Sequence, residues 1–212
     1  MTIFSTRALF ATGALALMTA CGSGGGLDTP TGAAAAADAL ANQGTDRLTF
    51  AEIADVAEDV NDAYNAVSIT PKAQVPTARR ADYFGAVGGD VVVGNNSTQV
   101  GGLMGLGVDF AANRVGGRIS NLVTDEGDAI RGSLAVNNGI LNRQSNSRQV
   151  AIFADVDGTL RSSAGERIVV DARLRESGFK GPNVEFVGGS VEGDVSVDGV
   201  PGTIDMRAQL QR

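Results

Sequence analysis

Residues 100–110, Val-Gly-Gly-Leu-Met-Gly-Leu-Gly-Val-Asp-Phe, decide the fold. Apolar side chains occupy the even positions of this stretch, apart from Gly102, and Gly, Leu or Asp occupies the odd positions. Because successive side chains point to opposite faces of a β-strand, this alternation predicts a strand with one buried face.

The same alternation recurs along the second half of the chain, in residues 170–175, 191–198 and 204–210. Each run has one apolar and one charged face, which is typical of half-buried antiparallel strands. Turn signals separate the runs at Gly88-Gly89, Asn95-Asn96, Glu126-Gly127, Asn137-Asn138-Gly139, Asp157-Gly158, Gly181-Pro182-Asn183 and Asp198-Gly199. We count about eight strands and predict a mainly β fold, an antiparallel β-barrel over residues 76–212, because closure removes exposed edges.

Aromatic content bears on where the apolar face of this barrel points. A barrel that crossed a membrane would carry aromatic girdles at both interfaces. The chain has no Trp and only two Tyr. We therefore expect a soluble barrel whose apolar residues point inward.

Residues 1–20 have the features of a secretion signal. Arg7 supplies a positive start, and residues 8–18 form an apolar run shorter than the roughly 20 residues that span a bilayer. The run Met18-Thr19-Ala20-Cys21 resembles the lipobox of bacterial lipoproteins. The resemblance implies that Cys21 is lipidated and begins the mature protein; the alternative is an ordinary signal peptide with an unrelated cysteine. Gly22 after it, by resemblance to the enteric sorting pattern, implies the outer membrane.

Residues 21–46 and 47–68 differ in character. The first segment is rich in Gly and Ala, which predicts a flexible tether after the lipidated cysteine. The second has a helical period, and Thr49 with Glu52 fits a capping box. Its apolar face holds Ile53, Val56, Ala57, Val60, Tyr64 and Val67, and its acidic face holds Glu52, Asp55, Glu58, Asp59 and Asp62. We predict a helix packed on the barrel with its acidic face in solvent; an acidic docking surface is the alternative.

Composition excludes several classes of function. The net charge of −7 disfavours nucleic-acid binding, and the absence of His removes imidazole acid–base chemistry and imidazole metal ligands. A single Cys forms no internal disulfide. The sequence Asp155-Val156-Asp157-Gly158 resembles the start of a calcium loop but lacks the distal Glu, so a hairpin turn is favoured. We predict no catalytic residue, no metal and no cofactor.

Residues 178–189, Gly-Phe-Lys-Gly-Pro-Asn-Val-Glu-Phe-Val-Gly-Gly, resemble a motif of the transferrin-binding-protein-like β-barrel lipoproteins. The matching residues are Gly178, Phe179, Gly181, Pro182, Asn183, Glu185, Gly188 and Gly189. A hairpin at 108–119 and a first strand at 79–85 support the resemblance, which covers about residues 76–212. The motif departs from the family pattern at Lys180, where Tyr is usual, and at Val184, where Ala is usual. Without the family, the motif still predicts bends at its glycines and Phe179 in the core.

The resemblance implies a barrel and a lipid anchor but identifies no ligand. We predict a non-catalytic outer-membrane lipoprotein that binds another protein through loops near residues 88–98, 124–129 and 142–149. The alternative is a calycin-like barrel that carries a small apolar molecule, although the bulky inward residues favour a filled interior.

Overall fold

The computed structural model describes residues 47–144 and 148–212. Helix α1 spans Phe50–Ala66, and a single 3₁₀ turn follows at Lys72–Gln74. The strands are β1 (Arg80–Val93), β2 (Asn96–Asp109), β3 (Arg114–Thr124), β4 (Leu134–Asn142), β5 (Ala151–Arg161), β6 (Arg167–Lys180), β7 (Phe186–Val197) and β8 (Val200–Gln211).

The eight strands form one closed antiparallel barrel. Each strand pairs with its neighbours in sequence, and β1 also pairs with β8 from Phe84↔Gln211 to Val93↔Gly202. The predicted fold class, an eight-stranded antiparallel barrel preceded by a short helix, is confirmed. In the described part of the chain, no helix combines the length and the apolar character needed to cross a membrane.

The apolar rows of the strands point inward, as the alternation predicts. Val100, Met104, Leu106 and Val108 of β2 are all buried in one continuous core cluster. The other strands contribute alternate residues to the same cluster, including Val170, Ala172, Leu174, Val191, Val195, Ile204, Met206, Ala208 and Leu210. Side chains from the strands therefore fill the barrel interior.

Three of the seven turn signals lie inside strands, so these turn predictions are wrong. Gly88-Gly89 belongs to β1, Asn137-Asn138-Gly139 to β4 and Asp157-Gly158 to β5. The reason is that Gly serves close strand approach as well as turns. A Cβ atom at residue 89 would lie 2.6 Å from Met206 Cα, and the Asn137-Asn138-Gly139 run forms a bulge against β5.

Helix α1 lies on the outside of the barrel, against β1, β2 and β8. Its start is fixed by the predicted capping box: Thr49 N donates to Glu52 Oε2 at 2.7 Å, and Glu52 N donates to Thr49 Oγ1 at 3.3 Å. The bond from the Thr49 backbone N–H lowers the pKa of Glu52. Ile53 is buried against outward-facing apolar residues, which are Ala86, Leu103 and Val123.

The helix runs from one end of the barrel to the other. We call the end with the β1–β2, β3–β4, β5–β6 and β7–β8 connections the near end, and the opposite end the far end. Arg47 Nη1 donates to Ile130 O at 2.9 Å, which places the start of the helix at the near end. Tyr64 meets Phe186 edge to face, with ring centroids 6.3 Å apart, at the far end.

The segment between α1 and β1 closes the far end. Thr70 N donates to Phe179 O at 2.9 Å, and Val75 is buried in the core cluster. Arg143, in the β4–β5 connection, holds this segment in place because its Nη1 donates to Val75 O at 3.3 Å. Its Nε donates to Asn113 Oδ1 in the β2–β3 connection at 2.6 Å. Residues outside the strands therefore complete the core.

Candidate functional site

Cys21, the predicted signal (1–20) and the predicted tether (21–46) lie outside the described residues. The structure does show where the chain enters the fold. Arg47 binds Ile130 O, and Leu48 O accepts from Asn121 Nδ2 at 3.4 Å. The described chain thus begins at the near end, beside β3.

The three predicted binding loops lie at opposite ends of the barrel. Residues 94–95 and 125–128 form turns at the near end, whereas the described residues 143–144 and 148–150 lie at the far end. Strands of 9–14 residues tilted in a barrel separate the ends by roughly 25 Å. The three loops therefore cannot form one contact surface, and residues 88–93 belong to β1 instead of a loop.

The motif at 178–189 builds the β6–β7 connection at the far end. A bulge lies between Arg175 and Gly178, and Gly181 has a φ of 85°, a left-handed conformation that Gly adopts without strain. Phe179 has no exposed surface, and its ring centroid lies 6.1 Å from that of Tyr83 and 5.6 Å from that of Phe110. The chain thus bends at the glycines of the motif, and Phe179 lies in the core.

The other motif residues hold the same connection together. Pro182 lies within its turn, Arg212 N donates to Glu185 O at 2.9 Å, and Arg212 Nη1 donates to Asn183 O at 3.4 Å. Gly188 and Gly189 permit close approach. A Cβ at residue 188 would lie 2.6 Å from Tyr64 Oη, and one at residue 189 would overlap the Ser177 hydroxyl.

The two departures from the family pattern have structural roles here. Lys180 Nζ lies 3.9 Å from the centre of the Tyr64 ring and donates to Tyr64 O at 3.1 Å, which ties the end of α1 to β6. Val184 O accepts from Tyr83 Oη at 2.7 Å inside the core. Burial raises the pKa of the Tyr83 hydroxyl, which shifts the group further from ionisation in the core.

The predicted hairpin at 108–119 has an aspartate at its turn. Asp109 Oδ1 accepts from Ala112 N at 2.9 Å and from Ala111 N at 3.0 Å, while Oδ2 lies 3.0 Å from Arg80 Nε. The Ala112 N–H is the main reason why the pKa of Asp109 is lowered. This carboxylate organises a turn, so its contacts are structural.

Asp155 and Asp157 do not form a calcium loop. Both point outward from β5, where Asp155 accepts from Asn138 Nδ2 at 3.0 Å and Asp157 accepts from Asn137 Nδ2 at 3.2 Å. The favoured hairpin turn is also absent, because both residues lie within the strand. Among residues 47–144 and 148–212, no cluster of three or more Asp, Glu, His or Cys residues could hold a metal ion.

A groove on the outer wall of β4, β5 and β6 was missed by the sequence analysis. We call it the wall groove; its volume is about 410 Å³. It is lined by Asn138, Ile140, Phe153, Ala154, Asp155, Arg173, Leu174 and Arg175. Ile140 and Phe153 are cross-strand partners, and they are 50% and 42% exposed. Apolar residues at outward positions were the available signal. The bulge in β4 changes which residues of that strand point outward, so the sequence alone did not show that Ile140 is one of them.

A scan against models of known protein families finds no match, and neither does a search of curated proteins. Among solved structures, a double mutant of transferrin-binding protein B from Haemophilus parasuis, described as a vaccine antigen, matches with a TM-score of 0.41 and 15% identity. The match covers 68% of this chain and 28% of that one. A single mutant of the same antigen matches with a TM-score of 0.38 and 15% identity, over 68% and 29% of the two chains.

The chain thus spans less than a third of the length of these structures. At such TM-scores the similarity carries no argument about family or partner. The barrel architecture rests on the strand pairing of this chain itself, and the family resemblance of the 178–189 motif stays a prediction.

Proposed function

We propose that this protein is a non-catalytic lipoprotein of the outer membrane that binds another protein through the outside of its barrel. Cys21 would carry the lipid, and residues 21–46 would form the tether between the membrane and the barrel. Residues 47–212 would form the part that meets a partner.

One observation supports the binding role above others: the strands fill the barrel with their own side chains. Tyr83, Met104, Leu106, Ile119 and Phe179 are among the largest side chains with essentially no exposed surface. A filled barrel offers partners only its wall and its two ends. This favours a protein partner over the alternative, a small apolar molecule carried inside the barrel.

The lipid anchor predicts that Cys21→Ser moves the protein from the membrane fraction to the soluble fraction of lysed cells. The thiol is the only group in the chain that can take this lipid, because Cys21 is the only cysteine. Metabolic labelling with a radioactive fatty acid and fractionation measure both effects. Met18→Leu, which keeps an apolar residue at the start of the lipobox, is the matched control and should behave like the wild type. Membrane association of Cys21→Ser after a high-salt wash would contradict the anchor.

If the partner binds through the connections at the ends of the barrel, one end should carry most of the contact, since the ends are too far apart to act together. A partner captured by in-cell cross-linking would be titrated against two variants. One variant replaces Asp125, Glu126 and Asp128 at the near end by Asn, Gln and Asn. The other replaces Asn142 and Arg148 at the far end by Ala. We expect at least a tenfold loss of affinity in one variant only, at unchanged thermal stability. Unchanged affinity in both would exclude binding through these ends.

A further inference from the structure

Two outward-facing rows of side chains cross the wall groove. In the first row Ile140 of β4 has Phe153 of β5 as its cross-strand partner, and Arg175 of β6 lines the groove with them. In the second row Asp155 of β5 is the cross-strand partner of Arg173 of β6, with Arg173 Nε 3.7 Å from Asp155 Oδ1. The wall groove therefore combines an exposed apolar pair with side chains of both charges.

The charges in these two rows balance. Glu192 of β7 is the second cross-strand partner of Arg173, and the uncharged Ser190 takes that place beside Arg175. Arg173 and Arg175 thus stand against Asp155 and Glu192, whereas the whole chain carries a net charge of −7. Two copies of an acidic chain repel each other least where the local charges cancel, and an exposed apolar pair at such a place favours contact.

We propose that two copies of this chain bind each other through the wall groove, related by a two-fold axis that runs along the strands between β5 and β6. In this arrangement each side chain meets its row neighbour on the other strand of the second copy. Asp155 of each copy faces Arg173 of the other, and Phe153 of each copy lies against the guanidinium group of Arg175 of the other. Each of these contacts occurs twice.

The charge pattern selects this orientation. Each Arg173 lies between its own Asp155 and the Asp155 of the second copy, so that the four charged groups alternate in sign. A two-fold axis across the strands would instead place Asp155 opposite Asp155 and Arg173 opposite Arg173. Facing sheets lie roughly 10 Å apart, a gap that an arginine and an aspartate side chain span together.

The contact is limited to these two rows. Strands tilt by roughly 35–45° to the axis of a barrel, so the wall curves away along the strands as well as across them. Asp157 and Asp171, which are cross-strand partners one row closer to the near end, therefore lie at the margin of the contact. A small contact with an acidic margin gives a weak and reversible association.

The proposal is tested on the chain from residue 21 onward with Cys21→Ser, which removes the lipid and keeps every residue that the structure describes. Asp155→Arg places arginines face to face across the contact, and Arg173→Asp places aspartates face to face. Sedimentation velocity over a wide range of concentrations at low ionic strength measures self-association. The wild type should sediment faster as its concentration rises, and the association constant of each single variant should be roughly tenfold lower or less.

An equimolar mixture of the two single variants should recover the association, because arginines of one copy then face aspartates of the other at both positions. A misfolded variant could not do this. Asp82→Arg on β1 and Arg167→Asp at the near end of β6 make the same charge changes away from the contact, and both should associate like the wild type.

A wild type that stays monomeric at every concentration overturns the proposal. Single variants that associate like the wild type, or a mixture of them that stays monomeric, overturn it as well. None of these results depends on the lipid anchor or on a different protein partner, so the proposed function can fail or hold independently.

Discussion

Replacing Phe179 by Ala is expected to lower the free energy of unfolding by about 3–5 kcal/mol, the usual cost of a buried Phe→Ala change. Phe179 has no exposed surface and lies between the rings of Tyr83 and Phe110. Its removal would leave a cavity among β1, β2 and β6. The segment that closes the far end hydrogen-bonds to the backbone of the same residue, so it limits how far the site can collapse. Urea unfolding followed by circular dichroism measures the loss.

Phe153→Ala is the matched control, since it removes the same side chain from a position that is 42% exposed. We expect this variant to lose no more than about 1 kcal/mol, because part of the ring already contacts water. If Phe179→Ala lost no more stability than the small loss expected of Phe153→Ala, the far-end aromatic cluster would not be what holds the fold together.

Gly89→Ala should cost about 3 kcal/mol, because its methyl group would overlap Asp205 O and approach Met206 Cα to 2.6 Å. Backbone atoms of β8 cannot move away without opening the β1–β8 pairing. Gly88→Ala, one residue earlier in the same strand, meets nothing closer than Val100 O at 3.6 Å. That variant should be neutral or slightly stabilising, because Ala restricts the unfolded chain more than Gly does.

Thermal unfolding of the two Gly variants side by side separates steric overlap from the general effect of Gly in strands. If both lose the same stability, the close approach of β1 and β8 at residue 89 is not what requires Gly there.

The regular alternation of apolar and polar residues along the strands made the main architecture predictable. The alternation in residues 100–110 needs only the geometry of a strand to place Val100, Met104, Leu106 and Val108 inside. The capping box at Thr49 and Glu52 is likewise a local signal, formed by residues three apart. Both kinds of inference hold because nearby residues alone determine the outcome.

Features that depend on register were not predictable. Gly88-Gly89 resembles a turn until the approach of β8 is known, and Ile140 becomes an outward residue only through the bulge in β4. Likewise, the position of a loop at the near or far end depends on the number of strands before it. Nothing in the local sequence around residues 142–149 distinguishes that loop from the one at 124–129.

The pairing of β1 with β8 also determines when this protein can fold. Residues 84–93 hydrogen-bond to residues 202–211, so the ring cannot close before all the strands up to β8 are available. Contacts this far apart in sequence make barrel folding slow compared with helical proteins. A chain that emerges from its N-terminus first would remain open, with two unpaired strand edges, until β8 appears. Late closure therefore leaves the unpaired edges of β1 and β7 open to aggregation until β8 joins the ring.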